Sequence, residues 1–319
     1  MRAIPLLTLL LGGWFVVPAH ADEAQDWLTR LGQAEQTQSF HGTFVYERNG
    51  SFSTHNIWHR VQDGKVRERL LQLDGSAQEV VRIDGHTQCV SGTLIAGLGE
   101  SPKSAARALD PQKLKNWYDL AVIGKSRVAG RSAVIVSLTP RDQHRYGFEL
   151  HLDKETGLPL KSLLLNDKGQ LLERFQFTQL DTTDAPSDKD LQAGPDCKTV
   201  SLEPDKAEAL KTAEVWHSDW LPPGFELSSS SSRKDPETKT QVSSLMYDDG
   251  LARFSVFLEP LNGATVTDTR TQLGPTVAVS RRLTTPQGEI MVTVVGEIPI
   301  GTAERIALSM RSDAVTAKQ

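Results

Sequence analysis

The amino-acid sequence predicts an α+β chain: one long antiparallel sheet with helices at its start and middle, then a smaller α+β unit. Three observations carry that class. Turn dipeptides Asn49-Gly50, Asp63-Gly64, Asp74-Gly75 and Asp84-Gly85 recur every 10 to 14 residues, the spacing of successive hairpin strands. β-formers fill the gaps, as in Thr43-Phe44-Val45-Tyr46, Ile57-Trp58, Leu70-Leu71 and Val80-Val81-Arg82-Ile83. Ahead of them, Trp27, Leu28, Leu31 and Ala34 recur at helical spacing between polar residues, which predicts an amphipathic helix lying on the sheet.

The chain has 319 residues, 38% hydrophobic and 24% charged, a globular composition with length for about two domains. A formal net charge of −5 leaves no basic surplus for nucleic acid. Residues 1–21 read as a secretory signal peptide. Arg2 supplies the positive start, an apolar run extends from Ile4 to Val17, and Ala19-His20-Ala21 is a small-x-small site for cleavage between Ala21 and Asp22. The apolar run is shorter than the roughly 20 residues that span a bilayer. No cysteine follows the cut, so no lipoprotein anchor is expected and the mature chain should be soluble and exported.

Further along, Asp110-Pro111 reads as a helix start, N-cap then proline at the first helical position, with a helix to Tyr118. Ser104 to Leu109 also reads as helical, behind a Gly97-Leu98-Gly99 loop. Strands resume at 120–123, 133–138, 146–152, 158–165 and 171–178, for nine or ten in the sheet. A polar, proline-broken stretch then separates the domains. The expected bounds are 22–185 for the first domain, 186–212 for the linker and 213–319 for the second. Five further strands and a closing helix over 301–311, capped by Thr302, make up the second domain.

The face pattern of residues 42–91 is mixed. Phe44 and Tyr46 point one way and Val45 the other; Leu70 and Leu71 are adjacent and face oppositely; Arg67 and Arg69 share a face with Leu71. A curved sheet with a helix over part of one face would show this, and so would a sandwich with both faces partly buried. Arg60, Arg67 and Arg69, with Lys65 and Arg82 nearby, are candidates for receiving a lipid headgroup or a partner's carboxylates. A solvated strand edge is the plain alternative. Phe44, Tyr46, Trp58 and Trp117, with Leu70, Leu71 and Leu98, are candidates for lining an apolar cavity, against ordinary core packing.

Two cysteines, Cys89 and Cys197, make an even count that in an oxidising compartment favours one disulfide over two buried thiols. No catalytic constellation is found. His55 and His59 lie four apart in strand context, about 13 Å along a strand, without the glutamate of a zinc-protease helix. Ser231 and Lys234 match Ser-x-x-Lys in a polar tract without companion motifs. No metal or cofactor is expected.

Phe40-His-Gly-Thr-Phe-Val-Tyr-Glu-Arg48, His59-Arg60 and Glu68-Arg-Leu-Leu-Gln-Leu-Asp-Gly75 resemble the MucB/RseB family of periplasmic regulators, in particular its alginate-associated branch. So do Trp220-Leu-Pro-Pro-Gly-Phe225, Tyr247-Asp-Asp-Gly-Leu251, Phe254-Ser-Val-Phe-Leu-Glu-Pro260 and Val292-Thr-Val-Val-Gly-Glu297. Asp153-Lys-Glu-Thr-Gly-Leu-Pro159 resembles a turn of LolA-type lipoprotein-binding folds. The resemblance covers the mature chain. It implies a LolA-like antiparallel half-barrel plugged by helices, then a smaller α+β domain. It also implies a periplasmic negative regulator that binds a MucA/RseA-type anti-sigma factor, shields it from regulated proteolysis, and is released by a lipid or lipopolysaccharide signal in envelope stress. A lipid or lipoprotein carrier using the same cavity is the alternative, and an exported hydrolase a distant third. Exposed strand edges make a homodimer conceivable.

Overall fold

The computed structural model describes residues 19–75, 78–91, 109–200, 215–234, 240–286 and 288–313. Residues 1–18 of the expected signal peptide, Leu98 with its glycine loop, and residues 104–108 of the helix expected over 104–109 lie outside them. Helix α1 (Ala19–Thr37) runs through the expected cleavage point and leads into β1 (Phe40–Arg48), β2 (Ser51–Gln62), β3 (Lys65–Gln72), β4 (Glu79–Ile83) and β5 (His86–Ser91). A short α2 (Pro111–Leu114) precedes β6 (Tyr118–Val128), β7 (Arg131–Pro140), β8 (Gly147–Asp153), β9 (Pro159–Leu165) and β10 (Leu171–Asp181). The two-residue β11 (Lys198–Thr199) follows.

These strands form one open antiparallel sheet in the order β11-β5-β4-β3-β2-β1-β10-β9-β8-β7-β6. Two meanders therefore meet at the β1–β10 pair, and β6 and β11 are left as the edges. Both residues of Asn49-Gly50, Asp63-Gly64 and Asp84-Gly85 sit at positive φ, the tight-turn geometry that matches strand twist. In Asp74-Gly75 only the glycine does.

The sheet curls around α1. Trp27, Leu28 and Leu31 pack on Leu120, Val136 and Leu150 of the second meander. Ala34, one turn further, packs with Phe40, Phe44 and Leu70 of the first meander and with Val128 and Leu160 of the second. One helix thus fills the hollow between the two halves, and the sandwich alternative does not hold. The helix expected over 111–118 stops at Leu114. Asp110 does cap it, accepting from the backbone N–H of Gln112 at 2.9 Å. Tyr118, however, is buried and already opposite Pro140 in the β6–β7 ladder, and that pairing claims the segment.

The second unit holds β12 (Val215–Ser218), β13 (Glu226–Lys234), β14 (Gln241–Asp248), β15 (Arg253–Pro260), β16 (Thr269–Leu273), β17 (Thr276–Thr285), β18 (Gly288–Gly296), α3 (Ile300–Ser309) and β19 (Met310–Asp313). Its six-stranded sheet runs β13-β14-β15-β18-β17-β16, with β12 and β19 as a separate pair. Ile306, Ala307 and Met310 of the closing helix region pack on Val256, Val279 and Val294. Thr302 is not the N-cap. Pro299 holds that position without a side-chain bond, and the Thr302 hydroxyl is 3.1 Å from His144 Nδ1 in the first domain. Among the described residues, no helix is long and apolar enough to cross a membrane.

Candidate functional site

Directly paired residues share a face, so the strand registers sort the candidate side chains. Phe44 pairs with His55 and Phe177, Tyr46 with Phe175, and Leu70 with Ile57 and Val80. All of these lie on the helix-covered inner face. Trp58 pairs with Arg69, Asn56 with Leu71, and Arg60 with Arg67. Those lie on the outer face. Trp117 belongs to neither face; it stands where the two domains meet. The candidate cavity residues are therefore not one lining. An open cleft of about 350 Å³ beside β6 is lined by Gln25, Lys115, Tyr118 and Arg141 among others, and by none of them.

On the inner face, aromatic rings stack on histidines. Phe44 lies on His55 at 5.0 Å and Phe40 on His59 at 4.8 Å. His59 Nε2–H donates to the Glu35 carbonyl in the last turn of α1 (3.0 Å), and Nδ1 faces Glu68 at 3.4 Å. Arg82 donates to the other Glu68 oxygen at 3.0 Å. Burial would raise the Glu68 carboxyl, but His59 and Arg82 together outweigh it and hold the group low. Glu35 is pushed up by burial, reinforced by Glu68 and offset by His59. This polar chain braces the end of α1 against β2–β4 and gives Arg82 a half-buried partner. Higher on the same face, burial and Glu173 raise the Tyr46 hydroxyl well above the usual phenol range.

On the outer face, the chain leaving β10 returns as a strap over residues 182–199. Arg60 donates to the Pro186 carbonyl at 3.2 Å and pairs with Asp188 at 2.6 Å. Arg67 reaches the same carboxylate at 3.5 Å. Arg69 lies over the Trp58 ring, pairs with buried Glu79 at 2.6 Å, and donates to the Asp190 carbonyl. Glu79 also accepts from Gly194 N–H, and Leu191 is 2% exposed. The strap ends at a disulfide between Cys89 and Cys197, beside the two-residue β11–β5 pairing.

The third arrangement escaped the sequence reading. Arg145, between β7 and β8, is wholly buried at the domain junction. Its guanidinium pairs with Asp249 at 2.7 Å and Asp142 at 3.1 Å, and donates to the Pro223 carbonyl. Phe225, Trp117 and Tyr118 rings surround it at 5.0–5.6 Å. The Tyr118 hydroxyl donates to Asp249, which also accepts from the backbone of Leu251 and Ala252. Gly224 sits at φ +87°, and a side chain there would overlap the Trp117 indole. Around this hub, Tyr146 donates to the Ile298 carbonyl, Lys113 pairs with Glu226, and Arg48 pairs with Glu297 and bonds Thr276. The available signal was indirect: Gly224 and Asp249 fall in two of the four second-domain motifs, Trp220–Phe225 and Tyr247–Leu251, but nothing local marks Arg145.

An open sheet wrapped on a helix and strapped on its back, locked to a second sheet domain, defines a two-domain α+β protein. Residues 23–195 match the model of the MucB/RseB N-terminal domain, and residues 210–311 that of the MucB/RseB C-terminal domain. The chain belongs to the MucB/RseB family. It is 62% identical to the sigma factor AlgU regulatory protein MucB of Pseudomonas aeruginosa, over 100% of both chains. It is 28% identical to the sigma-E factor regulatory protein RseB of Escherichia coli over 89% of each. A solved complex of Pseudomonas aeruginosa MucA and MucB matches with a TM-score of 0.82 and 62% identity, covering 92% of this chain and all of that one. A crystal structure of MucB matches with a TM-score of 0.69 and 59% identity, over 92% of this chain and 98% of that one.

Proposed function

We propose that this protein is a non-enzymatic periplasmic regulator. It binds the periplasmic segment of a MucA-type anti-sigma factor, shields it from regulated proteolysis, and releases it when a lipid or lipopolysaccharide signal arrives. The observation that carries this reading is the 62% identity across the full length of a sigma factor regulator, with both domains matched. A relative at that identity has been crystallised with MucA, and this chain has the same two-domain architecture. The signal peptide expected over 1–21 would export it to the same compartment as such a segment. Release would be linkage: a lipid that favours the partner-free state lowers partner affinity by the coupling energy, typically about 1–3 kcal/mol.

The test is a pull-down and titration with the periplasmic segment of the cognate anti-sigma factor. Micromolar or tighter binding, and slower cleavage of the segment by its protease when the regulator is present, are the expected results. No binding at micromolar concentration would overturn the reading. A lipid carrier, the second reading, predicts transfer of lipid between membranes, which a regulator does not require.

A further inference from the structure

Like charges directly across a strand pair repel, and a register that places Arg60 opposite Arg67 is destabilising unless an anion bridges them. Here one does. Asp188 sits 2.6 Å from Arg60 and 3.5 Å from Arg67. Its side chain is nevertheless 83% exposed, so the bridge is offered from the solvent side. The pair is not saturated by it. The Nε of Arg60 and the Nε of Arg67 are both buried with no hydrogen-bond partner among the described residues. Exposed Lys65 stands on the same face two residues before Arg67. Two guanidinium groups thus share one carboxylate, with a further cation along the same strand face, in a chain whose formal net charge is −5. Arg69, the next cation along, is already matched by Glu79.

We infer that the Arg60–Arg67 pair is a carboxylate-reading notch for an acidic peptide segment of the partner, with Asp188 as its resident occupant. This rests on the regulator reading above. The seat already recognises peptide: Arg60 and Arg69 donate to the main-chain carbonyls of Pro186 and Asp190. Planar guanidinium forks suit a carboxylate entering between them. The strap backbone need not leave. It is held by those carbonyls, by buried Leu191 and by Gly194 on Glu79. Only the Asp188 side chain has to turn away, and its exposure permits that. A lipid headgroup fits less well, because Phe44, Tyr46 and Leu70 lie on the opposite face of the sheet, and Trp58 on this face is already covered by Arg69.

The test uses the full mature chain and three variants: Asp188→Asn, Arg67→Gln and Lys65→Gln. Each is checked by thermal melting and titrated with two probes, the anti-sigma periplasmic segment and a synthetic Asp/Glu-rich peptide. Asp188→Asn empties the notch and should tighten both by roughly threefold, the size of one half-exposed pair. Arg67→Gln and Lys65→Gln should weaken both by a similar factor, and the differences should shrink as salt rises. A gain of affinity in Asp188→Asn cannot come from misfolding. Unchanged affinities in Asp188→Asn and Arg67→Gln would overturn the notch. So would a response of anionic phosphatidylglycerol vesicles to these variants with none from either peptide. If the wild type ignores the anti-sigma segment, the regulator reading falls, and the synthetic peptide alone decides the notch by the same criteria.

Discussion

Replacing Arg145 with Ala removes the cation that pairs with Asp249 at the domain junction. Both side chains are 0% exposed and 2.7 Å apart. Attraction in such a pair is offset by desolvation, so the pair itself adds little net stability. Deleting one partner is different, because a carboxylate stays buried without its counter-charge, at a cost of about 3–5 kcal/mol. Tyr118 and two backbone N–H groups would still hold Asp249 in place, so it has no easy route to water. With a urea m-value of about 2 kcal/mol/M for a domain of this size, the midpoint should fall by roughly 2 M. Since the hub joins both domains, the loss should also split one unfolding transition into two. Urea denaturation followed by tryptophan fluorescence reads both effects, because Trp117 and Trp220 flank the junction. The double variant Arg145→Met/Asp249→Leu should recover most of the loss, as removing both charges removes the unpaired ion. A midpoint shift below about 0.5 M in Arg145→Ala, with a single transition retained, would refute this account of the junction.

Reducing the disulfide, or changing Cys89 and Cys197 to Ser, opens a loop closed across 108 residues; chain entropy puts the loss near 4–5 kcal/mol, readable as a lower melting temperature of the first domain. Gly224→Ala combines a strained positive φ with overlap on Trp117; limited proteolysis at the domain boundary should accelerate while each domain keeps its circular dichroism. Acid should loosen the same junction. Burial depresses the His144 pKa, with Arg305 and Arg145 adding to the effect and Asp142 opposing it. A histidine depressed in the folded state contributes stability that is full above its ordinary value near 6.5 and is lost as pH falls below it. Urea midpoints at about pH 7.5 and 5.5 should differ more in the wild type than in His144→Gln.

Much of the fold was legible because its signals are local. The Asn-Gly and Asp-Gly turns set the first meander, and the spacing of Trp27, Leu28, Leu31 and Ala34 set the buried face of α1. Boundaries failed where tertiary contacts decide: Tyr118 follows a sound helix cap at Asp110 yet joins β6, and Thr302 looks like a cap yet bonds His144 across the junction. The strap was unreadable for a related reason. Residues 186–194 are polar and proline-flanked, as a linker would be, and only Leu191 hints at burial. Their hold comes from arginines more than a hundred positions earlier, and no local pattern encodes a bond between Arg60 and Asp188. Arg145 was missed because a buried arginine looks like any loop arginine until Asp249 and three rings are brought around it.

The candidate site shows how parity separates residues that composition groups together. Arg60, Arg67, Arg69 and Arg82 form one basic cluster in sequence, but strand alternation sends Arg82 inward and the others outward. Inside, Arg82 is matched by half-buried Glu68, which also faces His59 under α1, and serves the fold. Outside, Arg69 is likewise matched, by Glu79. Only Arg60 and Arg67 share a single solvent-facing carboxylate between them. The same division applies to the apolar candidates: Phe44 and Leu70 fill the hollow with α1, whereas Trp58 stacks under Arg69 beside the strap. An apolar ligand entering this protein must therefore compete with α1 for the inner face, and an acidic peptide need compete only with one aspartate. The two sides of the same strands thus differ in chemistry: α1 and the His59–Glu68 brace fill the inner side, and one exposed aspartate bridges the arginine pair on the outer side.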